Sequence, residues 1–428
     1  MENTQRIINV AVIGLGARGK SMLKDVILKY EDVTVTAVCD EYEDRNEAAV
    51  EIVKEKRGTV PFSTTDYREV LKRDDVDIVY IATAWESHVE IAIAAQRAGK
   101  ATGLEVGGAY SIAELNELVS AHEQTGTPFM LMENCCYNDN ELFATAAVRA
   151  GVLGKIVHCS GAYAHDLRSE VAKGNINRHY RLRNYTLRNA ENYPTHELGP
   201  IARLLNINRG NRIVSLVSVA SKACGLEEYI ESHPELVESD PTLKDRKFTQ
   251  GDIVNTIITC QNGETIHLKL DTTLPRSYSR EFTVRGTKGF YSQDTNTLYL
   301  DGMKEYWQPV KYVNAYLDNA NEYNDKYMPD IWDKMSEEAK KYGHGGMDAI
   351  MFREFLDAYV EGREMPIDVY DCASWMCITA LSAQSIATGG MPQAIPDFTS
   401  GKWILRESKD VINLVKAPKA AEETKTEE

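Results

Sequence analysis

Residues 7–13, Ile-Ile-Asn-Val-Ala-Val-Ile, form a nearly continuous apolar run, the pattern of a strand covered on both faces. Similar short runs follow at 33–39, 77–82 and 129–132, and between them apolar residues recur at helical spacing over 18–29, 44–57, 88–98 and 111–125. This alternation of strand and helix predicts a doubly wound parallel sheet, an α/β Rossmann domain over 1–135.

The pattern changes after Asn134. A helix is expected at 140–150, followed by longer alternating segments at 155–163, 212–221, 252–260, 264–273, 280–286 and 297–300. Gln261-Asn262-Gly263-Glu264 is a hairpin turn between two of them, and Gly286-Thr287-Lys288-Gly289 is a second tight connection. A second domain over 136–415 is therefore α+β, built on a mostly antiparallel open sheet with helices on one face. Helical stretches at 346–361 and 371–387 are expected to pack between the two domains. Residues 416–428 are charged and without apolar anchors, which reads as a disordered tail.

The 428 residues suffice for two or three domains, and 43% apolar content suits a packed protein. A net charge of −16 with no cationic stripe excludes nucleic acid as a partner. Twenty-two Tyr against nine Phe suits sugar stacking with hydroxyl recognition, as it also suits solvent-facing strands. The eight Cys show no Cys-x-x-Cys and no short-range His/Cys ligand spacing, so buried thiols in a reduced compartment are expected and no metal. No apolar stretch reaches 18 residues, and no leader precedes the first strand. A cytoplasmic chain without membrane partner is expected, or a periplasmic or exported one if a leader has been removed. The open sheet face predicts a homo-oligomer, dimer or higher.

Gly14-Leu15-Gly16-Ala17-Arg18-Gly19 directly follows the first strand and opens a helix, the context in which this spacing marks a dinucleotide site. Gly14 permits the tight turn, Gly16 the approach of a pyrophosphate, and Gly19 close helix packing. Asp40 ends the second strand, placed to accept the ribose hydroxyls and to favour NAD over NADP; Arg45 is expected on the next helix. Thr83-Ala84-Trp85-Glu86-Ser87-His88 follows the strand 77–82 at the ligand-binding edge. There Trp85 can wall the cofactor and His88 reach it, or Ser87 can cap the helix and His88 face solvent. In Asn192-Tyr193-Pro194-Thr195-His196, two proton-transfer groups flank a proline-fixed turn at the mouth of a helix. His158, His165 and His179 lack ligand spacing and read as structural or surface residues.

With Trp85-Glu86-Ser87-His88, Glu105-Val106, Met132-Glu133-Asn134-Cys135-Cys136-Tyr137, Tyr193 to Pro200, Asp271 to Arg280, Gly286 to Gly289 and His344-Gly-Gly-Met-Asp348, the chain resembles the glucose-fructose oxidoreductase, inositol dehydrogenase and MocA-type proteins. Among these it is most similar to glycoside hydrolase family 109. Dehydrogenases of that superfamily carry Glu-Lys-Pro after the fourth strand and an Asp four residues before the active-site His; this chain has Glu105-Val106-Gly107 and Asn192. The resemblance implies NAD contacts from Arg18, Gly19, Asp40, Trp85, Glu86, Ser87, His88, Glu105, Val106, Asn134 and Tyr193. It implies sugar contacts from Tyr163, Arg181, Tyr193, Pro194, Thr195, His196 and Tyr278. Arg178, Arg183 and Arg188 compete for the role of Arg181, and His344, in a glycine-rich loop before a helix, is a further sugar-facing candidate.

Family 109 enzymes use NAD to hydrolyse glycosides without net oxidation: C3 is oxidised, the C2 proton is lost, the aglycone leaves, water adds, and C3 is reduced again. His196 and Tyr193 would handle the protons and Tyr278 would position the sugar or leaving group. The α-N-acetylgalactosaminides of the family are the implied substrates, although Asn192 and Glu197 differ from the family's Gly-Asn-Leu-Tyr-Pro-Thr-His-Gly-Leu-Gly-Pro. A sugar dehydrogenase of the same fold is the alternative, and a non-catalytic sugar-binding protein is a third.

Overall fold

The computed structural model describes residues 6–333, 335 and 343–414; the tail expected at 416–428 lies outside them. Its first sheet holds β1 (Ile8–Ile13), β2 (Val33–Cys39), β3 (Phe62–Thr64), β4 (Ile78–Ile81), β5 (Ala101–Leu104) and β6 (Phe129–Leu131). They pair in parallel in the order β3-β2-β1-β4-β5-β6. The strand order reverses between β1 and β4, so the loops leaving these two strands border the crevice where such sheets take ligands. β3 has no apolar run because it is an edge strand whose residues are exposed or half-buried. The helix expected at 18–29 is two pieces: Ala17–Asp25, then a 3₁₀ turn at Ile27–Lys29, with Val26 in a non-helical conformation between them.

The second sheet contains β7 (Ile156–Ala164), β8 (Ile213–Ala220), β9 (Ile253–Cys260), β10 (Thr265–Asp271), β11 (Thr283–Gly286), β12 (Gly289–Ser292), β13 (Thr297–Leu300) and β14 (Gln393–Ala394). Their order is β13-β12-β11-β7-β10-β9-β8-β14. All pairs are antiparallel except the central β7 and β10. The strand expected at 280–286 begins only at Thr283, because Arg280 is turned inward to pair with the buried Glu141. The expected Gly286 to Gly289 connection is the hairpin turn into β12, a strand the apolar pattern did not show.

Burial alternates along β9 and β10, so one face of this sheet meets the core and the other meets solvent. On the covered face, helix Thr195–Leu204 packs against β7. Helix Val369–Ala387 runs between β8 and helix Ile112–Thr125, with Trp375 fully buried. Helix Met347–Glu361 sets Phe352 against Tyr30 and Tyr80. These contacts bring the start of helix Thr195–Leu204 toward the loops that follow β4, β5 and β6.

Candidate active site

Gly14 sits at φ +94°, and a Cβ there would lie 2.5 Å from the Ala82 carbonyl carbon; one at Gly19 would lie 1.8 Å from the Gly14 carbonyl oxygen. The turn is thus wedged between β1, the loop after β4 and the first helix. At Gly16 the nearest atom to an added Cβ is Arg45 Nη1 at 3.7 Å, so the space before the helix is open. Gly16 caps that helix without a side-chain acceptor, leaving the first-turn amides for an anion. Asp40 Oδ2 accepts the Leu15 amide at 2.7 Å and Oδ1 the Tyr42 amide at 3.0 Å. Arg45 lies on helix Glu43–Arg57 and turns back to within 3.5 Å of Asp40. An open glycine cradle, uncapped amides and a fixed carboxylate together fit a dinucleotide.

Beneath this cradle runs a charged chain. The Tyr80 hydroxyl and Arg18 Nε, the latter at 2.8 Å, both donate to Glu105. Arg18 Nη1 and Nη2 donate to Asp348 at 2.7 and 2.9 Å, and Asn134 Nδ2 donates to the same carboxylate at 2.7 Å. His344 Nδ1 joins Asp348 at 2.7 Å with its side chain 58% exposed. His344 therefore sits on the Arg18 cluster, at a distance in contacts from the aromatic groups described next. Burial alone would raise the Asp348 carboxyl, but Arg18 and His344 outweigh it and hold it far below the usual carboxylate range.

Trp85 begins helix Trp85–Arg97 and is buried. Its indole lies flat on the loop after β5, where a Cβ at Gly107 would come within 2.4 Å of the ring; a glycine is therefore required there. Glu86 accepts from Arg183 and Asn184 at 2.9 and 3.1 Å, and the Ser87 hydroxyl bonds Thr83 and the Ala84 carbonyl. His88 is buried and its Nε2 donates to the Thr83 carbonyl at 2.9 Å, so it props the loop from below. Burial pushes its pKa down to about 4, which keeps it neutral.

Tyr193 joins the cofactor side to the second domain. Its ring centroid lies 5.4 Å from Trp85, 4.6 Å from Tyr163 and 4.8 Å from His196, the last perpendicular. Val106 belongs to the same buried cluster. Of the four competing arginines, Arg181 is the one that reaches it, its guanidinium 5.3, 5.8 and 5.1 Å from the Trp85, Tyr163 and Tyr193 rings. Arg178 pairs with Asp44, Arg183 with Glu86, and Arg188 lies over Tyr110. Pro194 and Thr195 form the first turn of the helix that presents His196, whose Nδ1 is 2.7 Å from Glu133. Tyr278, 54% exposed, stands at the rim with its ring against His165. Desolvation raises the Tyr193 and Tyr278 hydroxyls above the ordinary tyrosine range.

Residues 8–132 match the model of an oxidoreductase family with an NAD-binding Rossmann fold, and residues 137–405 match the C-terminal domain of glycosyl hydrolase 109. The chain belongs to glycosyl hydrolase family 109. It is 36% identical over 427 residues to a glycosyl hydrolase family 109 protein of Stenotrophomonas maltophilia, covering 94% of this chain and 91% of that one. It is 34% identical over 426 residues to an alpha-N-acetylgalactosaminidase of Tannerella forsythia, covering 94% and 88%. Among solved structures, a levoglucosan dehydrogenase in complex with NADH and L-sorbose shares the fold at TM-score 0.66 and 18% identity, over 92% of this chain and all of that one. A myo-inositol 2-dehydrogenase from Lactobacillus plantarum does so at 0.61 and 15%, over 91% and 100%.

The family 109 chain is thus a glycosidase with an NAD-binding N-terminal domain. Several residues of the aromatic cluster escaped the sequence reading. His165 was expected to be structural or superficial, yet it bridges Tyr163 and Tyr278, its Nδ1 3.5 Å from the Tyr163 hydroxyl. The Tyr180 ring lies 4.7 Å from Trp85, tilted by 55°, and His179 Nδ1 accepts the Arg181 amide at 3.3 Å. Glu133 was visible only as part of Met132-Glu133-Asn134. Glu133, Cys135 and His196 present ligand atoms within 4.8 Å of one another. Burial raises the Cys135 thiol above the ordinary cysteine range. No helix among the described residues is long and apolar enough to cross a membrane.

Proposed function

We propose that this enzyme hydrolyses α-N-acetylgalactosaminides or related hexosides through transient oxidation of the sugar at C3. NAD, held by Gly14, Gly16, Arg18, Gly19 and Asp40 with Trp85, Glu105, Val106 and Asn134 around it, supplies when bound a reversible hydride acceptor that makes the neighbouring C2 proton acidic. The observation that carries the reading is Tyr193, whose ring touches Trp85 on the cofactor side and His196 on the other. The wall of the cofactor side and a pair of proton-transfer groups thereby meet at one residue, which supports the reading.

The chain's own residues do the rest. His196 Nε2 takes and returns the proton of the C3 hydroxyl, and the Tyr193 hydroxyl serves the C2 proton. Buried Arg181 steadies the negative charge that builds on the sugar oxygen between these steps. Tyr163 offers a face for stacking, and Tyr278 at the rim positions the sugar or its leaving group. Direct displacement by two opposed carboxylates has weak support, because the carboxylates that touch this cluster are engaged elsewhere: Glu133 with His196, Glu105 with Arg18, Glu170 beside Arg181, and buried Glu191 and Glu197 with each other.

The test is hydrolysis of aryl α- and β-hexosides in D₂O. Aglycone release with deuterium at C2 of the product is expected, and His196→Ala is expected to lower kcat by about 10²–10⁴-fold while NAD stays bound. Release without deuterium rejects the elimination route, and NADH accumulation without release identifies a dehydrogenase.

A further inference from the structure

His196 needs a partner on Nδ1 if Nε2 is to work as a base. The dehydrogenases that this chain resembles carry an aspartate four residues before the histidine; here that position is Asn192, and its side chain turns away. Asn192 is buried and its Nδ2 donates to Gln250 Oε1 at 3.1 Å. The carboxylate on His196 arrives from another element altogether. Glu133, in the turn that follows β6, places Oε1 2.7 Å from His196 Nδ1.

Glu133 is held from two sides. The same Oε1 accepts the Cys135 amide at 3.0 Å. The helix carrying His196 packs so closely on its stem that a Cβ at Gly199 would come within 2.9 Å of Glu133 Cγ. The residue is fully buried. Burial alone would raise its carboxyl, but His196 and the Cys135 amide outweigh that and keep it below the usual carboxylate range. An ionised carboxylate only accepts hydrogen bonds, so the proton in this contact sits on Nδ1 and the free lone pair on Nε2, at the far side of the ring.

We infer that Glu133 is the positioning residue for His196, fixing its Nδ1–H tautomer, aiming Nε2 into the aromatic cluster and stabilising the imidazolium formed when Nε2 takes a proton. The inference rests on the reading above that His196 transfers a proton. It also explains how Asn192 is compatible with an active histidine, since the carboxylate has moved from the histidine's own turn to the loop after β6.

The test uses the NAD-loaded enzyme. In Glu133→Gln the amide oxygen can still accept from Cys135 N–H and His196 Nδ1–H, but the charge is gone. A drop in kcat of about 10–100-fold, the usual cost of losing a group that orients a functional imidazole, is expected with KM, NAD content and Tm unchanged. Glu133→Asp, with the charge restored on a shorter stem, should recover part of it. ¹⁵N spectra of the histidines should show Nδ1–H on His196 in the parent and a mixture in Glu133→Ala. The double variant Glu133→Gln/His196→Ala should be no slower than His196→Ala alone. Parental kcat in Glu133→Gln, additive losses in the double variant, or kcat, NAD content and Tm falling together would each overturn the inference. If His196→Ala itself keeps normal turnover, it is the underlying reading of His196 that fails, whatever Glu133 does.

Discussion

Asp348→Asn probes how the cofactor side is held to the rest of the molecule. The carboxylate is 1% exposed and accepts four donors: Arg18 Nη2 and Asn134 on Oδ1, Arg18 Nη1 and His344 on Oδ2. An amide oxygen can take one pair. The amide nitrogen then faces the other, and its least costly position is opposite His344, whose Nδ1 can accept; Arg18 Nη1 loses its carboxylate acceptor and has only that same ring nitrogen, 3.2 Å away, within reach. Removing one partner of a buried ion pair costs roughly 3–5 kcal/mol. Arg18 keeps Glu105 at 2.8 Å and its side chain is 26% exposed, so the loss should fall near or just below that range, at about 2–3 kcal/mol. At about 2–4 °C per kcal/mol for a large domain, Tm should fall by about 4–12 °C. Differential scanning fluorimetry of nucleotide-free enzyme reads this, and calorimetric titration with NAD should show weakened binding, since Arg18 loses one of its two contacts with the Asp348 carboxylate. The pH dependence follows from the sign of the shift. The native Asp348 carboxyl lies below its unfolded value, so its stabilisation is complete above about pH 4 and is lost as pH falls further. The Tm gap between parent and variant should therefore be constant from pH 5 to 8 and shrink in stronger acid. A gap under 1 °C with unchanged NAD affinity would refute this account.

The glycine turn separates stability from binding. Gly19→Ala places a methyl 1.8 Å from the Gly14 carbonyl oxygen and should lower Tm in nucleotide-free enzyme, whereas Gly16→Ala meets no protein atom closer than 3.7 Å and should leave that Tm unchanged while NAD affinity falls at least tenfold; equal Tm losses in both would refute the distinction. Glu191 and Glu197 are buried on either side of the Tyr193 to His196 turn, and burial pushes the Glu191 carboxyl up to about 8. A carboxyl raised in the native state stabilises fully below its unfolded value and ever less as pH rises through its native one, so Glu191→Gln should match the parent's Tm at pH 5 and exceed it at pH 9. A Tm gap that does not grow with pH would show that Glu191 is ionised in the fold.

Much of the cofactor half was legible because its signals are local. Gly14, Gly16 and Gly19 act within one turn, and Asp40 lies at the end of the adjacent strand. The apolar runs of β1, β2, β4 and β6 stand out because strands buried on both faces tend to be apolar throughout. β5 is buried as well but reads Ala101-Thr102-Gly103-Leu104 and shows no run; β3, β12 and β14 were missed because half-exposed strands at or near a sheet edge carry none. Tyr193 and His196 were visible as a pair through their motif. Arg181 was one of four arginines whose spacing could not separate them, and its distinction lies in the three rings under its guanidinium.

By itself, then, the sequence determined the parallel sheet followed by a mostly antiparallel one, the dinucleotide turn and the family, and brought Tyr193 and His196 forward as a pair, since each depends on residues close in the chain or on motifs carried whole. Only the tertiary structure decided the partners. Glu133 meets His196 at a separation of 63 positions and Asp348 meets Arg18 at 330, while His88 turns to the Thr83 carbonyl and Asn192 to Gln250. Side-chain direction and long-range pairing depend on how β6, the His196 helix and the Met347–Glu361 helix pack, and hydrophobic periodicity reports which face of an element is buried without reporting what it is buried against.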